Sequence, residues 1–305
     1  MNFHRLFGSD SKARTTRLAL ASVTAALFFT HAIHAEEVTG LEGVKADTAL
    51  AAAVPQFYKD RGTLTVAVNP DVVPIKFVND DGNIAGFTPD LFTAAANVLG
   101  LQIKFAQTSF DALIPGMSAN RFDVILSLSD YPARHNTVTF VDYLNMGETI
   151  VAAPASKLSI TSNDDLCGLR LAVLRGTGAS KESAVISDRC VANDKKAIEV
   201  STYPDANMAL LSLSTGVSEV AWVDSPIGNY NANKFPAKYK VIYFSPQAPY
   251  GIGFGVDDKG KQLASAVQQA LLKLHKDGAY DALLKKWGLN PSDAQREFPI
   301  NGANL

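Results

Sequence analysis

The chain has 305 residues, with 28 Lys+Arg against 30 Asp+Glu and a formal net charge of −2. At 47% hydrophobic and 19% charged residues, with 21 Gly, 14 Pro and 2 Cys, it is not disordered, collagenous or a disulfide-rich miniprotein. No basic excess exists to neutralise phosphates, which argues against nucleic acid as a partner, and the length allows a core divided over two domains.

Residues 1–17 carry Arg5, Lys12, Arg14 and Arg17 against Asp10 alone. Leu18 to Thr30 then run without a charge, and Ile33-His34-Ala35 offers small-residue cleavage before Glu36. That order reads as a secretory signal peptide over 1–35. A membrane anchor is the competing reading, but the uncharged run is short of the roughly 20 residues needed to span a bilayer. Cleavage would leave 270 residues with 24 Lys+Arg and 29 Asp+Glu, a balance of −5, in a periplasm or outside the cell.

From residue 62 strands alternate with helices. Thr63 to Val68 is β-branched and apolar, a strand. Thr88 reads as an N-cap with Pro89 at N1, followed by a helix that Gly100 closes. Leu101 to Phe105 reads as a strand, Ser109 to Ala119 as a helix, and Phe122 to Leu128 as a strand. The pattern restarts with a strand at Leu169 to Leu174, and Gly176-Thr177-Gly178 opens a helix. Strands at Ile198 to Val200, Glu219 to Val223, Lys240 to Phe244 and Gly251 to Val256 follow, with a helix at Pro204 to Ser214. Two helices end the series, over 258–276 and Tyr280 to Trp287. The expected fold is α/β in two lobes.

Motifs for nucleophilic catalysis are missing: there is no G-x-S-x-G elbow and no Cys paired with a His. Gly176-Thr-Gly178 lacks the further residues of a nucleotide loop, so no cofactor is expected. It does turn into a helix N-terminus, which favours an anion, although tight packing alone explains such a turn. Ser127 and Ser129 sit at the end of the strand Phe122 to Leu128, and Arg134 and Asp224 lie beyond strand ends, where open α/β sheets place ligands. An Arg fork suits a carboxylate and an Asp suits an ammonium, so together they would hold a zwitterion. Singly, each also reads as a surface ion-pair member. Cys167 and Cys190 read as a disulfide in an oxidising compartment, with zinc as the rival; His135 and His275 do not sit at metal-ligand spacing, and no metal is expected.

Several segments in order resemble one family. They are Gly82-Asn-Ile-Ala-Gly-Phe-Thr-Pro-Asp-Leu91, Phe110-Asp-Ala-Leu-Ile-Pro115, Arg121-Phe-Asp-Val124, Ser129 with Arg134, Phe140-Val-Asp-Tyr143, Asp165-Leu-Cys-Gly168, Arg175-Gly-Thr177 and Val223-Asp224. Gly278-x-Tyr-x-x-Leu-x-x-Lys-Trp-Gly288 completes the set. Over about 62–288 the chain resembles the family 3 extracellular solute-binding proteins, the polar amino-acid receptors of ABC importers. The resemblance implies a type II periplasmic-binding-protein fold: mixed sheets flanked by helices, and a hinge with two crossovers. Lobe 1 would comprise 62–152 plus 249–290, and lobe 2 would comprise 155–246. Cys167 and Cys190 resemble a disulfide in the second lobe of one branch of the family.

Carried over by motif, Arg134 would clamp the ligand α-carboxylate with backbone N–H groups of Ser129 and Thr177. Asp224 would take the α-ammonium, helped by the Ser129 hydroxyl and the Ser127 carbonyl, and Phe110 would pack on the ligand side chain. The family often shows Asp-Pro-x-Tyr-x-Pro-Phe at the first strand's end, where this chain has Asn69-Pro-Asp-Val72-Val-Pro-Ile75. Losing that Asp and Tyr argues against a cationic or firmly stacked ligand and for a neutral or acidic amino acid, with Asp71 next door as a reservation. Tyr131 stands for a common Thr, Gly178 for a frequent Thr or Ser, and Arg175 would either favour an acidic side chain or be solvated. The implied partners are a small amino acid and the importer's membrane permease, with the receptor a monomer. A cyclohexadienyl (prephenate or arogenate) dehydratase on the same fold is the alternative; it would need a carboxylic acid in the cleft, and only Asp71 and Glu148 are candidates. Neither has a sequence neighbour that signals a raised pKa. A sensor module is the third option.

Overall fold

The computed structural model describes residues 43–289 and 291–303. The leader read over 1–35 lies outside the described residues. In chain order, two short helices, α1 (Thr48–Ala52) and α2 (Gln56–Arg61), lead into strands β1 (Thr63–Val68), β2 (Asp71–Val72), β3 (Lys76–Val78) and β4 (Ile84–Ala85). Then come α3 (Phe87–Val98), β5 (Gln102–Gln107), α4 (Leu113–Ser118), β6 (Val124–Ser129) and the long β7 (Thr139–Ala152). The next stretch holds β8 (Arg170–Leu174), α5 (Gly178–Ala192), β9 (Glu199–Tyr203), α6 (Ala206–Ser214), β10 (Val220–Asp224) and α7 (Ser225–Lys234). The last elements are β11 (Lys240–Phe254), α8 (Asp258–Lys276) and α9 (Ala279–Lys286).

Eight strands form one hydrogen-bonded ladder in the order β5-β1-β6-β11-β7-β10-β8-β9, with β2, β3 and β4 in a small separate sheet. The pairs β1–β5, β1–β6, β8–β9 and β8–β10 are parallel, as α/β alternation demands. The pairs β7–β10, β6–β11 and β7–β11 are antiparallel. β7 and β11 are long enough to run through both halves, which is why a single ladder joins them. The runs expected at Lys240 to Phe244 and Gly251 to Val256 are therefore one strand, with its register interrupted near Tyr243 and Tyr250.

Local chemistry explains where elements begin. The α3 helix starts two residues earlier than the sequence suggests: Gly86, not Thr88, is its N-cap. Gly86 has φ 127°, and a Cβ there would lie 2.5 Å from the Ile75 carbonyl oxygen, so only glycine fits. Thr88 is instead buried, its hydroxyl 2.7 Å from that of Tyr143. The helix expected over Ser109 to Ala119 divides into a 3₁₀ turn at Phe110–Ala112 and α4. Gly176-Thr177-Gly178 opens α5 as expected, and the Thr177 hydroxyl accepts from Ser180 N at 3.1 Å as its N-cap.

The core follows the ladder. Phe87, Phe92, Tyr143, Tyr250, Phe254 and Tyr280 share the largest apolar cluster, and Ile150, Leu171, Val173, Ile186 and Trp222 form a second. Cys167 and Cys190 are joined by a disulfide that ties the segment before β8 to the last turn of α5. Beyond α9 the chain returns along β7, with bridges Leu144↔Ala294 and Val141↔Ile300. Phe298 is fully buried there, edge-on to Tyr280 at 5.1 Å.

Candidate ligand-binding site

Six of the residues singled out from the sequence meet around one cavity. Asn69, Val72, Phe110 and Ser127 come from the chain before β7, and Thr177 and Asp224 from the chain after it. Lys76, Leu174, Trp222 and Ile227 complete much of the lining. The free space is about 10 Å³, no more than one water needs. Arg134 and Gly178 line a second cleft with Tyr131, and Phe110 links the two: its ring centre lies 6.0 Å from the Arg134 guanidinium carbon. Ser129 lines neither. A larger cleft of about 620 Å³, between Met146, Tyr230, Phe244 and Trp287, contains none of the residues picked from the sequence. Chemistry, not volume, selects the site.

Arg134 ends a 3₁₀ turn, Pro132–Arg134, that follows β6. It is buried, its Nη1 donates to the Ser129 carbonyl at 2.8 Å, and the Tyr131 ring centre lies 5.1 Å away. One N–H of five is spent, and the rest of the fork stays available. Ser129 joins Ser127 within β6, because the strand runs one residue past the expected Leu128. Ser127 has φ 54°, a left-handed conformation that costs a β-carbon-bearing residue of order 1–3 kcal/mol. Its hydroxyl donates to Thr88 Oγ1 at 3.0 Å and accepts from the Tyr143 hydroxyl at 2.8 Å. The Thr177 hydroxyl donates to the Leu174 carbonyl at 2.7 Å while it caps α5.

Asp224 closes β10, and the Tyr250 hydroxyl donates to its carboxylate. Burial pushes the Asp224 carboxyl above its ordinary value, opposed by the Tyr250 bond and by the Lys76 charge. One oxygen keeps room for another donor. Tyr250 reaches the site from β11, a contact no local sequence signal announces.

Lys76 was not anticipated either. It lies between Ile75 and Phe77 in β3 and is only 1% exposed. Its ammonium donates to the Asn69 carbonyl at 2.9 Å and to the Asn69 side-chain oxygen. Burial lowers its pKa to about 8, against the attraction of Asp71 and Asp224. Asn69 in turn donates to Asp71 at 2.6 Å, and Asp71 accepts from Ala206 N at the start of α6, 3.3 Å away. That bond spans the two walls. A second link is the ion pair of Arg175 Nε with Asp111 at 2.8 Å. Arg175 is thus neither aimed at the cavity nor merely solvated.

The two carboxyls weighed for acid catalysis are both shifted, contrary to the sequence expectation. Burial pushes Glu148 up to about 8, reinforced by Asp224, its partner across the β7–β10 ladder, and by Glu182. Burial also raises Asp71, with Lys76 and the Ala206 N–H opposing. These environments come from strands far apart in sequence, so no neighbour of either residue foretold them. Neither carboxyl lines the cavity. Among the described residues no His, Cys, Asp and Glu group is placed to hold a metal, and no helix is long and apolar enough to cross a membrane.

Residues 64–290 match the bacterial extracellular solute-binding proteins, family 3. The chain belongs to that family. Among family 3 relatives, the arginine-binding protein ArgT of Corynebacterium glutamicum is 29% identical over 245 residues, 79% of each chain. A crystal structure of a P235GK mutant of the arginine-binding protein from T. maritima superposes with TM-score 0.68 at 29% identity, covering 76% of this chain and 98% of that one. An ancestral amino acid-binding protein, described as a precursor of cyclohexadienyl dehydratase, gives TM-score 0.66 at 27% identity over 76% and 98%. The fold is the type II periplasmic-binding-protein fold of these family 3 neighbours. The tail from 291 to 303 that lies against β7 falls beyond the matched span.

Proposed function

We propose that this protein is the periplasmic receptor of an ABC importer, binding an amino acid between two lobes and delivering it to the membrane permease. The lobes are 62–152 with 249–290, and 155–246, joined through β7 and β11. One observation carries the reading: Arg134 stands on one wall and Asp224 on the other, with Phe110 between the clefts. The Arg134 fork takes the α-carboxylate in paired, charge-assisted bonds. The free Asp224 oxygen takes the α-ammonium. A zwitterion taken out of water requires both charges to be paired, so binding to one wall alone is weak and binding to both draws the walls together. Parting the walls to admit ligand breaks the Arg175–Asp111 pair and the Ala206–Asp71 bond. Both are partly exposed and modest, so closure remains reversible. The leader over 1–35 directs the chain to the periplasm, where the Cys167–Cys190 disulfide persists.

A dehydratase is the second reading, because Glu148 held protonated would be a proton donor. Its position off the cavity supports binding over catalysis. Thermal-shift and calorimetric screens with the twenty amino acids, run beside a prephenate turnover assay, decide between them. A receptor gives saturable binding of at least one amino acid and no turnover. Turnover without amino-acid binding overturns the reading.

A further inference from the structure

Lysine is rarely buried without a charged or polar reason, and Lys76 is the most buried cation of the site. Of the charged side chains that line the cavity there are two, Asp224 and Lys76. Asp224 is spoken for by the ligand's ammonium on the reading above, and Arg134 by its carboxylate. Lys76 is then the cation left facing whatever the ligand carries beyond its α-carbon. Two of its three N–H bonds go to Asn69, and the hydrogen bonds of the described residues account for no third. The rest of the lining is apolar or already engaged: the side chains of Val72, Leu174, Trp222 and Ile227 have no acceptor to offer it, and the Asn69 amide donates to Asp71.

We propose that Lys76 determines ligand specificity by donating to an amide or carboxylate oxygen of the ligand side chain and excluding cationic side chains. The inference rests on the cleft being an amino-acid site. It separates this chain from the arginine-binding relatives it otherwise resembles. A guanidinium or imidazolium would meet the Lys76 ammonium inside a closed, water-poor space, where like charges cannot be screened. An oxygen acceptor completes the ammonium's hydrogen bonds instead, and leaving that donor unmet is costly. Asn69 holds the ammonium in place through both its backbone and side-chain oxygens, so Lys76 cannot swing away to make room.

Calorimetry on the full mature chain with L-glutamine, L-glutamate, L-alanine, L-arginine and L-histidine tests this directly. Wild type should bind glutamine or glutamate at least a hundredfold tighter than arginine or histidine. Either order of those two supports the inference: glutamate first means that Lys76 pairs with a charge, glutamine first that it meets a neutral acceptor. Lys76→Met should weaken glutamine and glutamate at least tenfold, leave alanine within threefold and narrow the gap to arginine. Lys76→Gln serves as a second variant should the methionine protein not fold, and the wild-type ranking is decisive without either. Arginine or histidine binding as tightly as glutamine and glutamate overturns the inference. So does a Lys76→Met variant that weakens every ligand equally, since Lys76 is then only the counter-ion of Asp224. Absence of binding by any amino acid removes the underlying receptor reading instead.

Discussion

The phenol of Tyr131 occupies the space that a side chain at position 178 would need. A Cβ built on Gly178 would lie 2.9 Å from the Tyr131 hydroxyl oxygen and 3.0 Å from the adjoining ring carbons. Two departures from the family pattern are therefore one compensated change across the cleft. Gly178→Ser should push the walls apart and weaken ligand binding at least tenfold in calorimetry. Adding Tyr131→Thr should recover most of that loss, whereas additive effects would show that the two residues act independently.

Arg134→Ala leaves a carboxylate without its fork inside a closed cleft, a loss of roughly 2–5 kcal/mol for a buried charged pair. Affinity for the amino acid found in the screen should fall a hundredfold or more, with Arg134→Lys in between because a point charge lacks the fork. A drop under tenfold for the alanine variant refutes the clamp.

Stability should decline as pH rises from about 5 to about 8. The folded chain holds the Glu148 proton up to about 8, raised by burial, while the unfolded chain releases it near 4.5. In that window the folded state binds more protons, so raising pH favours unfolding. Asp142 works in the same direction, raised first by burial and then by the Asp130 charge. Lys76, lowered to about 8, acts oppositely, restoring stability between about 8 and 10.5. Melting temperatures across pH 5–8 for wild type and Glu148→Gln check the sign: the variant should show a visibly flatter slope.

Reducing the Cys167–Cys190 disulfide, which closes a separation of 23 residues, should cost about 3 kcal/mol in the chain-entropy model. For a domain of this size that is a fall of roughly ten degrees in melting temperature. Ligand affinity should change little, since neither sulfur lines the cleft.

Phe298→Ala should cost about 3–5 kcal/mol, as for other buried phenylalanines, by emptying the space against Tyr280. Denaturant unfolding measures it. A loss below 1 kcal/mol would show that the tail is not part of the core.

The strands β1 and β8 and the opening of α5 were legible because short apolar runs and the Gly176-Thr-Gly178 turn announce them locally. β7 was not. All its residues but Asn145 are buried, so it shows neither alternation nor a polar face, and Asp142, Gly147 and Glu148 interrupt what would otherwise read as a hydrophobic run. α7 was missed because its apolar positions are few, with Ile227 the one large buried side chain. In the site, Arg134 and Asp224 stand at strand exits that topology marks. Lys76 and Tyr250 enter from β3 and from the middle of an interrupted β11, and only the folded ladder brings them to Asp224.

The position of β11 between β6 and β7 has a consequence for how the chain comes into being. A nascent polypeptide that has reached residue 239 has made β6 and β7 but not the strand that separates them, leaving both with unpaired backbone edges. Such edges are templates for pairing with other chains. Until β11 takes its place between them, both edges stay open to pairing with another chain, which makes this the aggregation-prone stage of folding. Refolded chains ending just before Lys240 and just beyond Phe254, the bounds of β11, should therefore differ sharply in solubility.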